Sequence, residues 1–231
     1  MDLSQRTIAI TGASSGIGAA IARYIVDAGG NVVLGARRVD KLEALAAELG
    51  ADDRVHVAPL DVTEWASNEA FIAAARERFG AVHGLVANAG FGAPRGFLES
   101  DPDHWRSMVL TNVLGAAYSI RAALPSISQT RGHVVLTSSV AGRRVLPGSL
   151  YSSTKHAVTA MAEALRLEVA EQGVRVTSIE PGMVDTPFFD NGAPEWALRS
   201  EDIADAVLYA LTRPAHATIS TLTIRPTAQT T

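Results

Sequence analysis

Residues 11–18 read TGASSGIG. Three glycines in eight residues mark a backbone that turns tightly or lets another group come close. Their order, Gly12, Gly16 and Gly18, gives G-x-x-x-G-x-G rather than the more familiar G-x-G-x-x-G. The loop follows an apolar, β-branched run at Thr7–Ile10 and precedes an amphipathic stretch at 17–28, so it joins a strand to a helix. Such a helix start offers unpaired N–H groups and the positive end of a dipole to a phosphate. Gly12 would free the turn out of the strand. Gly16 and Gly18 would admit a pyrophosphate and the next strand, and Ser14 and Ser15 add hydroxyl donors beside Ile17. The competing reading is a tight turn that holds no ligand.

The same alternation continues outward. Further strands are expected at Asn31–Gly35, Val55–Ala58, Gly84–Ala87, Val134–Thr137, Val174–Ile179 and Thr218–Ile224. Helices are expected near 17–28, 41–49, 64–79, 103–123, 151–171 and 201–211. Asp40 with Glu43 forms a capping pattern, Asp101 precedes Pro102, and Gly29, Gly50, Gly80 and Gly173 sit just past helix ends. The pattern predicts an α/β fold: a doubly wound parallel sheet of about seven strands, helices on both faces, in one domain over 1–231.

The composition narrows the partners. With 47% apolar residues, a net charge of −4 and no basic block, nothing recommends nucleic acid. No apolar run reaches the length of a membrane span, and the first residues do not resemble a signal peptide, so the expected location is cytoplasmic. There is no cysteine, and the six histidines are scattered, so no metal site is expected.

The second strand runs into GARRVD (35–40). A carboxylate near its end would bind a ribose 2′-hydroxyl, but Ala36 stands there, followed by Arg37 and Arg38. Guanidinium groups suit a 2′-phosphate, which favours NADP(H); the plainer reading is a solvated basic turn. Asp40 reads as a helix cap. Asp61, ahead of Val62, could accept from an adenine amine or cap a turn. In YSSTK (151–155), Tyr151 and Lys155 are four apart, on one helix face, where an ammonium would favour the phenolate. Ser138 and Ser139 end the fifth strand, Asn88, Ala89 and Gly90 end the fourth, and Asn112 lies in a predicted helix. EPGMVDT (180–186) leaves the sixth strand toward the same edge.

Taken in order, TGASSGIG, DVT (61–63), NAG, Asn112, SSVAG (138–142), YSSTK and PGMVDT resemble the short-chain dehydrogenase/reductase family, of its NADP-preferring type, along essentially the whole chain. The resemblance implies a Rossmann-like fold and an enzyme that moves hydride between NADP(H) and a carbonyl or alcohol. It implies Tyr151 as acid–base group, Lys155 on the nicotinamide ribose, Ser139 on the reacting oxygen, and Asn112 holding a water behind Lys155. Pro181, Gly182, Val184 and the Thr186 hydroxyl would border the carboxamide, and Asn88 to Gly90 the cofactor cleft. Ser139 lies one residue closer to Tyr151 than in many members; Ser138 restores the spacing but loses the alignment with VAG. The segment from Pro187 to Arg199 is short for a substrate lid.

Candidate pocket walls are Phe91, Arg95, Arg143, Arg144, Leu146, Met183, Phe188, Phe189 and Trp196. The apolar members suit a ketone, aldehyde or secondary alcohol; any of the arginines could instead hold a substrate carboxylate. Trp65 and Trp105 read as packing residues. The ending TLTIRPTAQTT resembles members acting on hydroxy acids or small aldehydes. The family also implies a homodimer or homotetramer through the helices at 103–123 and 151–171. The expected function is therefore an NADPH-dependent carbonyl reductase. A 3-hydroxy acid or serine-type dehydrogenase is the enzyme alternative, and an NADP(H)-sensing regulator without turnover the alternative of another class.

Overall fold

Short apolar runs that alternate with amphipathic ones leave the chain one economical solution, strands buried between two layers of helices. The computed structural model describes residues 2–188 and 192–230. In chain order its elements are β1 (Thr7–Thr11), α1 (Gly16–Asp27), β2 (Asn31–Ala36), α2 (Val39–Leu49), β3 (Val55–Pro59), α3 (Trp65–Phe79) and β4 (Gly84–Ala87). There follow α4 (Pro102–Val109), α5 (Ala116–Thr130), β5 (His133–Thr137), α6 (Leu150–Val169), β6 (Arg175–Pro181), α7 (Ser200–Thr212) and β7 (Thr221–Ile224). The strands form one sheet in the order β3-β2-β1-β4-β5-β6-β7, every pairing parallel.

The sheet carries two apolar layers. On one face Ile21 and Ile25 of α1, Leu42 of α2 and Ile203 and Val207 of α7 cover Ile8, Ile10 and Leu34. On the other Phe71 of α3, Ile120 and Ile127 of α5 and Val158 of α6 cover Val33, Leu85 and Leu136. Strand order reverses between β1 and β4, so the loops after these strands diverge and leave a crevice at their carboxyl ends.

Three expectations need correction. Asp40 is not the cap of α2: the helix begins at Val39, Arg38 takes the cap position without a side-chain bond, and Asp40 sits in the first turn, where its charge suits the dipole. The helix expected at 103–123 begins at Pro102, with Asp101 as cap accepting from the Asp103 N–H. It passes through a π-helical stretch at Leu110–Gly115 and continues as α5 to Thr130. Pro125 does not stop it, because Ala123 and Ile127 on either side are anchored in the core while Pro125 faces outward. β7 starts three residues later than its apolar run. Gly29, Gly50, Gly80 and Gly173 all hold positive φ at the helix ends where they were expected.

Candidate active site

At Gly12 (φ +67°) a side chain would be strained, and its Cβ would sit 2.8 Å from Ala89 Cα. A Cβ on Gly18 would strike the Gly12 carbonyl. The glycine loop is therefore pressed against the end of β4 at the reversal of strand order. Thr11 Oγ1 accepts from the Asn88 and Ala89 N–H groups, both at 3.0 Å. Asn88 Nδ2 donates to the Thr11 and Gly12 carbonyls at 3.2 and 3.4 Å, and its Oδ1 accepts from Thr137 Oγ1 at 3.3 Å. Asn88 thus staples the ends of β1, β4 and β5, with its amide already committed.

A cleft of about 700 Å³ opens along these strand ends. It is bordered by Gly12, Ser14, Ser15, Gly16, Ile17, Arg37, Arg38, Asp61, Val62, Asn88, Ala89, Gly90, Ser139, Tyr151, Lys155, Pro181, Gly182, Val184 and Thr186. Of the candidate catalytic and cofactor-binding residues, Gly18 and Asn112 stand behind the wall. Because β2 lies on one side of β1 and β5 beyond β4, the arginine pair and the tyrosine occupy opposite ends of the cleft. At the β2 end Arg38 Nη2 donates to both Ser14 Oγ and Ser15 Oγ at 2.9 Å, which lays a guanidinium over the start of α1. Ser15 caps α1 without a side-chain bond to the helix, so the first-turn N–H groups face the cleft unsatisfied by it. Asp61 Oδ1 accepts from the Thr63 N–H at 3.0 Å and from its hydroxyl at 2.8 Å, so the residue caps its turn while bordering the cleft.

At the other end Ser149 caps α6 by accepting from the Ser152 N–H, which sets Tyr151 and Lys155 one turn apart with Lys155 Nζ 5.6 Å from the phenol ring. Ser139 faces the Tyr151 phenol and favours its ionised form, while its hydroxyl donates to the Pro181 carbonyl at 3.4 Å. Its own oxygen is oriented by the Ala141 N–H at 3.1 Å. Ser138 turns away: its hydroxyl donates to the Lys155 carbonyl at 3.0 Å and meets Thr159 Oγ1 at 2.7 Å. Lys155 Nζ donates to the Thr137 carbonyl at 2.8 Å. Asn112 is buried within the π-helical stretch, donating to Phe91 O at 2.9 Å and Thr154 Oγ1 at 3.1 Å while accepting from the Phe91 N–H at 3.0 Å. Its side chain therefore fixes the loop after β4 and is already occupied.

The electrostatics depart from expectation. Burial pushes the Tyr151 phenol up to about 12, with Ser139 acting in the opposite direction. Burial pulls Lys155 down to about 8. Desolvation is the largest influence on both groups.

Phe91, Arg95, Leu146, Met183, Phe188 and Trp196 border the cleft as expected. The Phe188 ring meets Tyr151 edge-on at 5.5 Å, and a Cβ on Gly92 would lie 2.7 Å from Phe188 Cζ, so this ring roofs the tyrosine. Arg143 and Arg144 are not part of the wall. Arg143 is held by Glu180, Nε to Oε1 at 2.7 Å, and by Thr221, and Arg144 is exposed. Phe189 lies outside the described residues. Among the wall residues that were not foreseen is Gln229, which reaches the cleft from the tail beyond β7. The signal was available, since a chain leaving a parallel strand at its carboxyl end emerges on the ligand edge of the sheet.

The arrangement fits a dinucleotide. Glycines that leave no room for a Cβ, an open helix start and two guanidinium groups converge on one half of the cleft, and the Tyr151 phenol stands in the other. Among the described residues no group of three or more histidines, aspartates and glutamates is placed to hold a metal. No helix among them is long and apolar enough to cross a membrane.

Comparisons with known proteins agree with this geometry. A family model described as short chain dehydrogenase matches residues 6–195. An uncharacterized oxidoreductase of Staphylococcus haemolyticus is 42% identical over 229 residues, covering 97% of this chain and 99% of its own. The alcohol dehydrogenase of the archaeon Thermococcus sibiricus, complexed with 5-hydroxy-NADP, superposes with a TM-score of 0.90 at 36% identity, covering 97% of each chain. The closed form of a serine dehydrogenase complexed with NADP+ superposes with a TM-score of 0.89 at 32% identity, covering 97% of this chain and 96% of that one.

Proposed function

The chain belongs to the short-chain dehydrogenase family, and from that premise we propose that it is an NADPH-dependent reductase of ketones or aldehydes, working in reverse on secondary alcohols. The observation that carries this reading is Tyr151, sharing the cleft wall with Ser139 and one helical turn from Lys155, at the opposite end of that cleft from Arg37 and Arg38. Ser14, Ser15, Gly16 and the arginines would hold the phosphates, and Lys155, Val184 and Thr186 the nicotinamide half. When bound, the nicotinamide supplies or accepts the hydride. The chain's own residues orient the reacting carbonyl and move the proton. Ser139 donates a hydrogen bond to the carbonyl oxygen, and the phenol, neutral at physiological pH, gives its proton to that oxygen. Phe188 and the apolar wall exclude water from the reacting centre.

The test is oxidation of NADPH and NADH over a panel of carbonyls. Tyr151→Phe should lower kcat by about 10²–10⁴-fold, the usual contribution of a general acid, with the dissociation constant for NADPH little changed. Retained turnover overturns the assignment, and NADPH binding without turnover of any carbonyl favours the sensor.

A second reading has one observation in its favour. Arg95 is the one charged side chain bordering the half of the cleft beyond Tyr151 among the described residues, and no acid pairs with it. It would suit a 3-hydroxy acid or its oxo form. Matched substrates with and without a carboxylate, assayed on wild type and Arg95→Met, separate the two. We also propose that the chain acts as a homodimer or homotetramer in the cytoplasm.

A further inference from the structure

The tail beyond β7 does more than end the sheet. The β6–β7 ladder closes with the Gly182 N–H donating to the Ile224 carbonyl at 2.7 Å. The chain then folds back in a turn, the Gln229 N–H donating to the Pro226 carbonyl at 3.0 Å. That turn brings the Gln229 side chain onto the segment leaving β6, where Oε1 accepts from the Met183 N–H at 2.9 Å. Contact is so close that a Cβ on Gly182 would strike Gln229 Oε1 and approach Pro226 Cδ to 2.9 Å. The other polar group of Met183 is also taken, since its carbonyl accepts from the Leu198 N–H at 2.9 Å. Asp185 N–H in turn donates to the Leu198 carbonyl at 2.7 Å. One residue is therefore clamped from both sides, by the tail and by the chain returning after the short lid segment. Gly182, Met183, Val184 and Gln229 all border the cleft.

We infer that Gln229 is a positioning residue: by holding the Met183 N–H it fixes the Gly182–Val184 turn against which the nicotinamide half of the cofactor rests. This rests on the function proposed above. An N–H that has left the ladder needs an acceptor in any case, so a merely structural glutamine is the competing account, and the two differ in what they move. If Gln229 positions the turn, only the nicotinamide half of the cofactor feels its loss. If it only satisfies a donor, stability falls and both halves weaken together, or neither does.

The experiment measures the dissociation constants of NADPH and of adenosine 2′,5′-bisphosphate, which lacks the nicotinamide, together with the fluorescence of bound NADPH and the thermal midpoint. For Gln229→Ala the expected result is about tenfold weaker NADPH binding, the size of one hydrogen bond. The bisphosphate constant should be unchanged, the fluorescence enhancement lost, and the midpoint shifted by only a few degrees. Gln229→Glu keeps an acceptor oxygen at the same reach and should restore most of the NADPH affinity. Equal weakening of both ligands, no weakening of either, or a Glu variant no better than Ala overturns the inference. A wild-type protein that binds neither ligand overturns the functional reading along with it. Wild-type binding of both with no effect of Gln229→Ala overturns this inference alone.

Discussion

At the scale of single residues, the pairing of Tyr151 with Lys155 is visible in the spacing of four, but its acidity is not. A four-residue interval fixes a shared helix face; burial, which decides the protonation states, is a property of the assembled fold. The structure leaves the phenol protonated up to about 12 and the ammonium only up to about 8. As pH rises, Lys155 is therefore the group that changes first. The second-order constant kcat/KM for NADPH reports the free protein. It should be level below about pH 8 and fall above it as the charge that would hold the nicotinamide ribose is lost. A profile level to pH 10 would detach Lys155 from cofactor capture. The arginines were equally legible, because the end of β2 must face the cleft and Ala36 leaves no carboxylate there. Arg38 is already engaged with Ser14 and Ser15, whereas Arg37 is exposed at the cleft edge. Arg37→Asp should lower the ratio of kcat/KM for NADP(H) over NAD(H) by about 10–100-fold, the range of one charge-assisted hydrogen bond. An unaltered ratio removes Arg37 from cofactor choice.

At the scale of elements, the strands and most helices were readable because alternating apolar runs bury completely in a parallel sheet. What escaped was set by tertiary contacts. The π-helical stretch around Asn112 has no signature in composition; it exists where the Asn112 amide locks onto Phe91 and Thr154. The passage of α5 through Pro125 depends on a core that outweighs one lost hydrogen bond. β5 shows the same point in its first residue. His133 is buried, and Thr177 donates its hydroxyl proton to the Ile219 carbonyl. The 2.7 Å contact between His133 Nε2 and Thr177 Oγ1 therefore has the imidazole as donor. Nδ1 is then left buried without a partner. Burial, helped by Arg175, holds this imidazole down to about 3 against an ordinary 6.5. The unfolded chain binds this proton and the folded one does not, so stability is insensitive to the group above pH 6.5 and declines below it until about 3. His133→Leu removes both the proton and the orphan nitrogen. Urea unfolding across that window should then show about one proton fewer taken up on unfolding than in wild type. Equal pH dependence of the two proteins would mean that the imidazole titrates normally in the fold.

At the scale of the whole molecule, the reversal of strand order between β1 and β4 places the cleft, and the helices on each face fix what is left outside. α6 carries Tyr151 and Lys155 in its first turns, while farther along Ala160, Ala164 and Leu167 form an exposed stripe at i, i+4 and i+7. Leu167 is 64% exposed. Beside this stripe a groove runs between α3, α5 and α6, lined by Trp65, Ile120, Leu124, Met161 and Leu165 and edged by Arg76, Arg121, Glu69 and Glu168. An apolar floor with charges of both signs at its rim is the chemistry a self-complementary surface needs, since in a two-fold contact the same patch meets itself. The small residues that compose this face were visible in the sequence. Their exposure was not, because helical periodicity alone does not say which of two apolar sides meets the sheet. On this reading the wild-type protein sediments as a dimer or larger, and Ala164→Arg, which sets a charge in the middle of the stripe, shifts it to monomer. The substitution lies nine residues along α6 from Lys155, about 13 Å at the helical rise, so the dissociation constant for NADPH should stay within about twofold, less than one hydrogen bond contributes. A wild-type protein that sediments as a monomer at working concentrations, or an arginine variant that associates as tightly as wild type, excludes this face as the contact between copies.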